Sequence, residues 1–309
     1  MQGRPPRERP VNPPPDRRTT LAGIACGLAA YGMWGFFPLF FRQLGHVSPV
    51  DLLCNRALWG CVFVSLILTV RRAWAGPLAA ARRPGTLPRL TLAALLVGAN
   101  WLAFLWAVDQ HRVIEGSLGY FLTPLVNVLL GLVVLKERLK RLEWASVALA
   151  VAAVGNEFLS LGSLPWVSLF LGGTFGLYGL VRKQVPVDAV SGLWLETLSL
   201  MPLILLYAGW QASRGHGVFT GFDASTQILL AVAGVMTALP LMFFAAATQR
   251  LNLATVGMLM YINPTLQFLT AVLIFGEALR PARLVTFALI WAGLLLYSWS
   301  GWQKYRAAR

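Results

Sequence analysis

Ten stretches of this chain are apolar for long enough to cross a lipid bilayer, and most of the segments between them are short. They run from Leu21 to Phe41, Pro49 to Val70, Leu90 to Val108, Val113 to Leu135, Leu142 to Ser160, Leu164 to Val181, Ala189 to Trp210, Gln227 to Ala247, Ala254 to Phe275 and Pro281 to Ser300. A hydrocarbon core about 30 Å thick takes about 20 helical residues to span, so each stretch predicts a crossing helix. Lipid offers backbone amides and carbonyls no water, and the alternating pattern of barrel strands is absent, so helix is the remaining solution. Charged residues are 12% of the chain, against about 25% in ordinary soluble domains, while apolar residues reach 57%. The predicted fold class is an all-α membrane protein with ten transmembrane helices.

A shift of 140 residues lays Tyr120 to Pro124 (YFLTP) on Met260 to Pro264 (MYINP), and Leu135 to Leu139 (LKERL) on Phe275 to Leu279 (FGEAL). The spacing predicts a duplication of five spans each. An odd number of crossings makes the second copy enter from the opposite face, so the expected plan is two inverted five-helix repeats, a pattern of transporters. The first repeat covers residues 21–160 and the second residues 161–302. They are flanked by a basic tail at residues 1–20, with five arginines and six prolines, and a short basic tail at residues 303–309. The first tail is expected to be disordered. The span after it has no small-residue cleavage site and is too long for a secretory signal, so a retained first helix is expected.

The net charge of +14 raises the question of nucleic acid. The basic residues, however, lie in loops and tails with no aromatic-interleaved face, so no nucleic-acid partner is expected. With the N-terminus inside, tails and even-numbered loops hold twenty Lys and Arg, and the opposite side holds five. Both termini are therefore expected in the cytoplasm.

Arg56 stands apart, inside the second span. An arginine about six residues into a helix sits roughly 9 Å below the surface, and its burial costs at least about 2.5 kcal/mol unless a partner or a wet cavity receives it. The repeat offset carries Arg56 onto Glu196 in the seventh span. Two readings stand: a structural pair or snorkelling cation, or a pair handling substrate and protons. Glu115 and Glu157 lie near outer span ends and suit solvated carboxylates, a partner for Arg56 or an outer gate. Glu137 and Glu277 fall at connecting turns, where a carboxylate suits a helix N-terminus.

A second set of polar and aromatic groups lies within the spans: Tyr31, Trp34, Asn100, Trp101, Tyr120, Asn127, Tyr178, Tyr261, Asn263 and Gln267. Amides can bridge helices and rings can be packing, or the set can line a binding cavity. Pro124, Pro240 and Pro264 fall mid-span, where proline frees a carbonyl and breaks or kinks a helix. Gly23 with Gly27, and Gly172 with Gly176, have the spacing for close helix crossing. Cys26, Cys54 and Cys61 lie in spans, and His46, His111 and His216 are scattered in loops, so neither a disulfide framework nor a metal site is expected. No phosphate-binding loop, zinc-protease helix motif or nucleophile elbow occurs, so ATP and the corresponding catalysis are not expected.

Taken together, the pieces Gly98-Ala99-Asn100-Trp101, Glu115-Gly116-Ser117-Leu118-Gly119-Tyr120-Phe121, Pro124-Leu125-Val126-Asn127, Leu135-Lys136-Glu137-Arg138-Leu139, Phe175-Gly176-Leu177-Tyr178-Gly179, Glu196-Thr197, Thr237-Ala238-Leu239-Pro240 and Pro264-Thr265-Leu266-Gln267-Phe268 resemble the RarD branch of the EamA transporters in the drug/metabolite transporter superfamily. The resemblance runs from about Leu21 to Trp302. It implies a ten-helix inverted-repeat fold, no ATP, and movement of small metabolites or drugs across the cytoplasmic membrane of a bacterium. The chain departs from the family pattern with Asn55 where a histidine is expected and Thr123 where an asparagine is expected.

The expected function is a secondary transporter working by alternating access, without cofactor and not an enzyme, whose partners are a small-molecule substrate and the lipid bilayer, with protons as the candidate coupling ion. Arg56 would attract an anionic or zwitterionic group, Glu196 would carry a proton or answer a cation, and Trp34, Trp101, Tyr120, Tyr178 and Tyr261 would form walls, beside Asn100, Asn263 and Gln267. The competing classes are a membrane-embedded lipid enzyme and a non-transporting scaffold. The first needs catalytic groups clustered at one interface; the second leaves no cavity.

Overall fold

The computed structural model describes residues 17–109, 113–161, 166–274 and 281–307, and all regular structure among them is helical. The helices are α1 (Arg17–Gly35), α2 (Phe37–Phe41), α3 (Pro49–Val70), α4 (Ala75–Arg82), α5 (Thr86–Asp109), α6 (Val113–Val133), α7 (Arg141–Leu161), α8 (Trp166–Gln184), α9 (Ala189–Ser213), α10 (Ala224–Arg250), α11 (Leu253–Met260), α12 (Ile262–Leu273) and α13 (Pro281–Ala307), with a 3-10 turn at Arg42–Leu44. Six described segments have the length and hydropathy to cross a membrane: Arg17–Leu44, Pro49–Val70, Thr86–Phe104, Ala189–Ser213, Ala224–Arg250 and Leu284–Gln303. A shorter apolar helix covers Gly119–Val133.

The outer surface is apolar and part of the interior is polar. Leu206 is 73% and Leu295 72% exposed, whereas Asn100, Asn127 and Glu196 are buried. Such a surface fits lipid, where internal hydrogen bonds and close packing join helices. The core gathers where α1, α3, α5, α8, α9, α10 and α11 meet, around Tyr31, Val64, Val97, Tyr178, Leu193, Leu241, Phe244 and Val256.

Local chemistry sets where the helices begin and break. Ser48 caps α3 by accepting from the amide of Asp51 at 3.3 Å, with Pro49 as the first helical residue. Asp188 accepts from the amides of Val190 and Ser191 at 3.1 and 3.0 Å, and so starts α9. Asp223 starts α10 in the same way through Ser225 and Thr226. Proline lacks an amide hydrogen and clashes with the carbonyl four residues earlier. Pro38 lies just past the end of α1, and Pro264 just past the break between α11 and α12 at Tyr261. Pro124 and Pro240, by contrast, lie inside the continuous helices α6 and α10.

The glycine pairs are sites of close approach. A Cβ on Gly23 would lie 2.8 Å from the Leu251 side chain, one on Gly27 2.9 Å from Leu259, and one on Gly176 2.5 Å from Val126. Bare backbone thus seats α1 against α10 and α11, and α8 against α6. The other large packing pairs are α3 with α10 and α9, α5 with α8 and α9, α6 with α11, α1 with α12, and α7 with α13.

The connections differ from expectation in two places. The segment from Arg71 to Arg89 is not simply a loop: it folds into α4, which packs on α9. Helix α8 continues past Val181 to Gln184, so Arg182 lies inside it, fully buried, rather than in a connecting loop.

Candidate functional site

Arg56 of α3 and Glu196 of α9 line one small cavity, about 20 Å³ in volume. Trp101 and Val97 of α5, Thr197 and Leu200 of α9, and Thr237 and Leu241 of α10 complete much of its wall. A volume of this size holds about one water molecule.

Within it, the Arg56 Nε donates to Thr237 Oγ1 at 2.8 Å, and that hydroxyl donates in turn to the Ala233 carbonyl at 2.7 Å. The guanidinium lies over the ring of Trp101 at 4.5 Å and of Phe41 at 4.8 Å, a cation–π arrangement that suits its flat, delocalised charge. Among the described residues no carboxylate pairs with it. Tyr120, packed on Phe104 with ring centroids 5.6 Å apart, lies within electrostatic reach of the same guanidinium.

Glu196 is 2% exposed, and its two oxygens meet residues of α8. Oε1 lies 3.2 Å from Arg182 Nε of α8, and Oε2 accepts from the Tyr178 hydroxyl at 3.2 Å. Arg182 was invisible in the sequence reading because an Arg-Lys pair at a span end looks like an ordinary loop anchor. Its signal was Gly192, since a Cβ there would lie 2.2 Å from Arg182 Nη1. A glycine on the facing helix makes the room this guanidinium occupies.

From Tyr178 a ring cluster runs back to α1. Tyr178 stacks on Phe244 at 5.6 Å and 14°, Phe244 meets Phe175 at 5.2 Å, and Phe175 meets Trp34 edge-on at 5.7 Å. Tyr31 closes the group, with its hydroxyl donating to the Val256 carbonyl at 3.1 Å.

The remaining sequence candidates join helices instead of lining the cavity. Asn100 donates to the Leu171 carbonyl at 2.8 Å and to Thr174 at 2.9 Å, tying α5 to α8. Gln267 donates to Asn263 at 2.9 Å and to the Trp34 carbonyl at 3.4 Å. That carbonyl stands four residues before Pro38, whose missing amide leaves it free. The Tyr261 hydroxyl donates to the Phe121 carbonyl at 3.2 Å. Asn127 is fully buried, and among the described residues neither end of its carboxamide has a hydrogen-bond partner.

Glu137 caps a helix, but not the one after it. Its carboxylate accepts from the amides of Leu253 at 2.7 Å and Ala254 at 3.1 Å, at the start of α11 in the other half of the chain. A left-handed Lys136, φ 54°, turns the chain toward that contact. Asn55 and Thr123, the departures from the family pattern, have structural partners: Asn55 donates to the Val218 carbonyl at 2.8 Å and Thr123 to the Gly119 carbonyl at 2.9 Å. Pro240 is buried in α10, three residues from Thr237. His46 meets Thr226 at 3.1 Å, and the three cysteines are free thiols. Glu277 and His111, and the side chains of Glu115 and Glu157, lie outside the described residues. Among the described residues no three His, Cys, Asp or Glu side chains converge to hold a metal ion.

Residues 21–155 match the model of the EamA-like transporter family. An uncharacterized transporter of Vibrio cholerae is 41% identical over 295 residues, covering 96% of this chain and 98% of the relative. Protein RarD of Escherichia coli is 38% identical over 282 residues, covering 91% and 95%. The chloramphenicol-sensitive protein RarD of Pseudomonas aeruginosa is 34% identical over 293 residues, covering 93% and 96%. One crystal structure shares the fold, with a TM-score of 0.69 at 19% identity, over 90% of this chain and 96% of that one.

Proposed function

This chain belongs to the EamA-like transporter family, in the RarD branch of the drug/metabolite transporter superfamily, and from that premise we propose that it is a secondary transporter moving small organic molecules by alternating access. It works as a multi-pass protein of the bacterial cytoplasmic membrane with both ends in the cytoplasm. Moving Arg182 from a loop into the interior leaves nineteen basic residues against five, so the charge bias supports that orientation unchanged.

The two halves are inverted five-helix repeats. The packing partners support this, because they come in pairs under exchange of halves: α1 on α10 answers α8 on α5, α3 on α10 answers α9 on α5, and α6 on α8 answers α12 on α1. The pairs α3 with α9, α6 with α11 and α7 with α13 answer themselves, as contacts beside a two-fold axis must. The Tyr261 hydroxyl, bonded to the carbonyl 140 positions earlier, sits on that relation.

One observation carries the functional reading: an interior arginine, without a carboxylate partner among the described residues, lines a cavity together with Glu196. An uncompensated cation inside a membrane protein marks a path for substrate or ions. Arg56 receives the anionic end of the substrate, Trp101 and Tyr120 hold its apolar body, and Glu196 carries the coupling proton. Trp34 and Tyr178 supply ring walls, while Asn100, Tyr261, Asn263 and Gln267 act from behind by holding the helices that present the site. Small-molecule sites typically measure about 300–1,000 Å³. The halves must therefore part around Arg56 before a substrate can enter, and the structure described is a closed member of the cycle.

Accessibility tests the reading without a known substrate. A chain whose Cys26, Cys54 and Cys61 are replaced by serine, carrying Leu241→Cys in the cavity wall, is labelled with a membrane-impermeant maleimide from each face of oriented vesicles. Reactivity from both faces, each suppressed when the carrier is locked toward the other, is the expected result. A thiol that reacts from one face alone, or from neither, removes alternating access.

A further inference from the structure

Arg182 holds more donors than its partner uses. It is fully buried, and Glu196 meets it from the Nε side through one oxygen, at 3.2 Å. Among the described residues none of its three nitrogens has a hydrogen-bond partner, so the Nε contact with Glu196 is an ion pair without a hydrogen bond. A guanidinium pairs best with a carboxylate through two parallel N–H donors, and a buried cation left partly unsatisfied is costly. The carboxylate at hand does not close that fork: only Oε1 lies within ion-pair distance of the guanidinium, and Oε2 accepts from Tyr178. The surroundings are nevertheless shaped for the guanidinium: Gly192 leaves it room, as a Cβ there would come within 2.2 Å of Nη1 and 2.6 Å of Nη2. Glu196, in turn, stands between Arg182 and the cavity, since it lines that cavity and holds the arginine at once.

We propose that Arg182 is a second substrate-binding residue, and that a transported organic carboxylate takes it over from Glu196, which accepts a proton as the ion pair opens. The proposal rests on the transporter reading above and names its substrate class: a monoanionic carboxylate, first received by Arg56 and then passed to Arg182, with an apolar body able to lie against the rings of Tyr178, Phe244 and Trp34. The proton arrives through the cavity and binds a Glu196 oxygen; no covalent bond forms or breaks besides that O–H. One proton enters for each carboxylate, so the loaded and the empty carrier have the same net charge and the membrane potential does not drive the loaded step.

The charged and titratable groups around Glu196 fit this exchange. Arg182 and Tyr178 face it from α8, and Arg56 faces the shared cavity from α3. The cavity residues of α5 and α10 are uncharged, Asp188 at the start of α9 is turned to its own helix amides, and Arg82 on α4 is exposed. Arg182 is the cation that a neutral Glu196 would leave without a partner.

Formate is the probe, added to purified full-length protein in detergent, with melting temperature and binding as the readouts. Glu196→Ala vacates the carboxylate position, and Glu196→Gln neutralises it with little change of shape, so one serves if the other fails to fold. Formate is expected to raise the melting temperature of either variant, and to lose that effect when Arg182→Gln is added; removing both members of a buried pair is commonly tolerated. In the unmodified chain, formate affinity is expected to fall toward about tenfold per pH unit while Glu196 is ionised, and to be flat with pH in Glu196→Gln. No formate effect on either Glu196 variant, an equal effect without Arg182, or formate binding to the unmodified chain that is absent at pH 5 or the same at pH 5 and pH 8 would overturn the proposal. None of these measurements requires transport. Failure here leaves alternating access standing, and failure of the labelling experiment leaves formate binding standing.

Discussion

The two interior arginines are treated in opposite ways: Glu196 shares a cavity with Arg56 and an ion pair with Arg182. Arg182 is fully buried, ion-paired with Glu196 and fitted against a glycine. Arg56 is half-buried, stacked between Trp101 and Phe41, hydrogen-bonded to Thr237 and without a carboxylate among the described residues. A buried ion pair is expensive to break but contributes little net stability over an apolar pair, whereas a cation on ring faces keeps its charge available. The difference separates the two charges in the structure described: that of Arg182 is held by Glu196, and that of Arg56 has no carboxylate partner among the described residues.

The largest effect expected of any single change is therefore at Arg182. Arg182→Gln strands a buried carboxylate and should cost about 3–5 kcal/mol, while adding Glu196→Gln should recover most of it; unfolding in detergent measures both. If the double variant is no more stable than the single one, the pair is not the link between α8 and α9. Gly192→Ala should cost about 1–3 kcal/mol by overpacking against the guanidinium, a loss that Arg182→Gln in the same chain should partly relieve. Glu137→Gln should cost roughly 1 kcal/mol through the lost charged cap on α11, read as a lower melting temperature. Arg56→Gln should change stability least of the four, by under about 1 kcal/mol as for a single half-buried hydrogen bond, yet end flux in proteoliposomes. A large loss of stability there would erase the contrast between the two arginines.

The smallest effect lies outside the membrane spans. Hydrogen bonds from the Ser225 and Thr226 side chains, and from their amides, hold the Asp223 carboxyl well below the usual carboxylate range. A folded value below the unfolded one means that this contribution is complete above roughly pH 4, the ordinary aspartate range, and fades as pH falls further. Asp223→Asn should flatten that acid limb of the stability profile and leave neutral pH nearly unchanged.

The spans were legible because lipid allows so few solutions. Length and hydropathy alone located the helices of residues 49–70 and 189–213 closely, and the glycine pairs pointed to real close approaches. Arg56 and Glu196 could be placed together from the repeat offset, and they do share a cavity. The partner of Glu196 could not, because a cation at a helix end carries the same sequence signal whether it faces water or turns inward. Asn100, Gln267 and Tyr261 were legible as polar groups inside spans, but not by task. Sequence spacing says which face a side chain leaves from, not which carbonyl on another helix it meets. Glu137 shows the same limit: an acidic residue at a turn announces a helix start, and the start it serves lies 116 positions downstream.

That long reach bears on how the chain is made. While the first half is being inserted, the carboxylate behind Lys136 has no amides to receive it, and α11 has yet to be synthesised. The turn after α6 therefore reaches its final state only after α11 has emerged. Two separately expressed halves should consequently mature together or not at all, and a ribosome pause between them would leave a half-built bundle exposed to quality-control proteases.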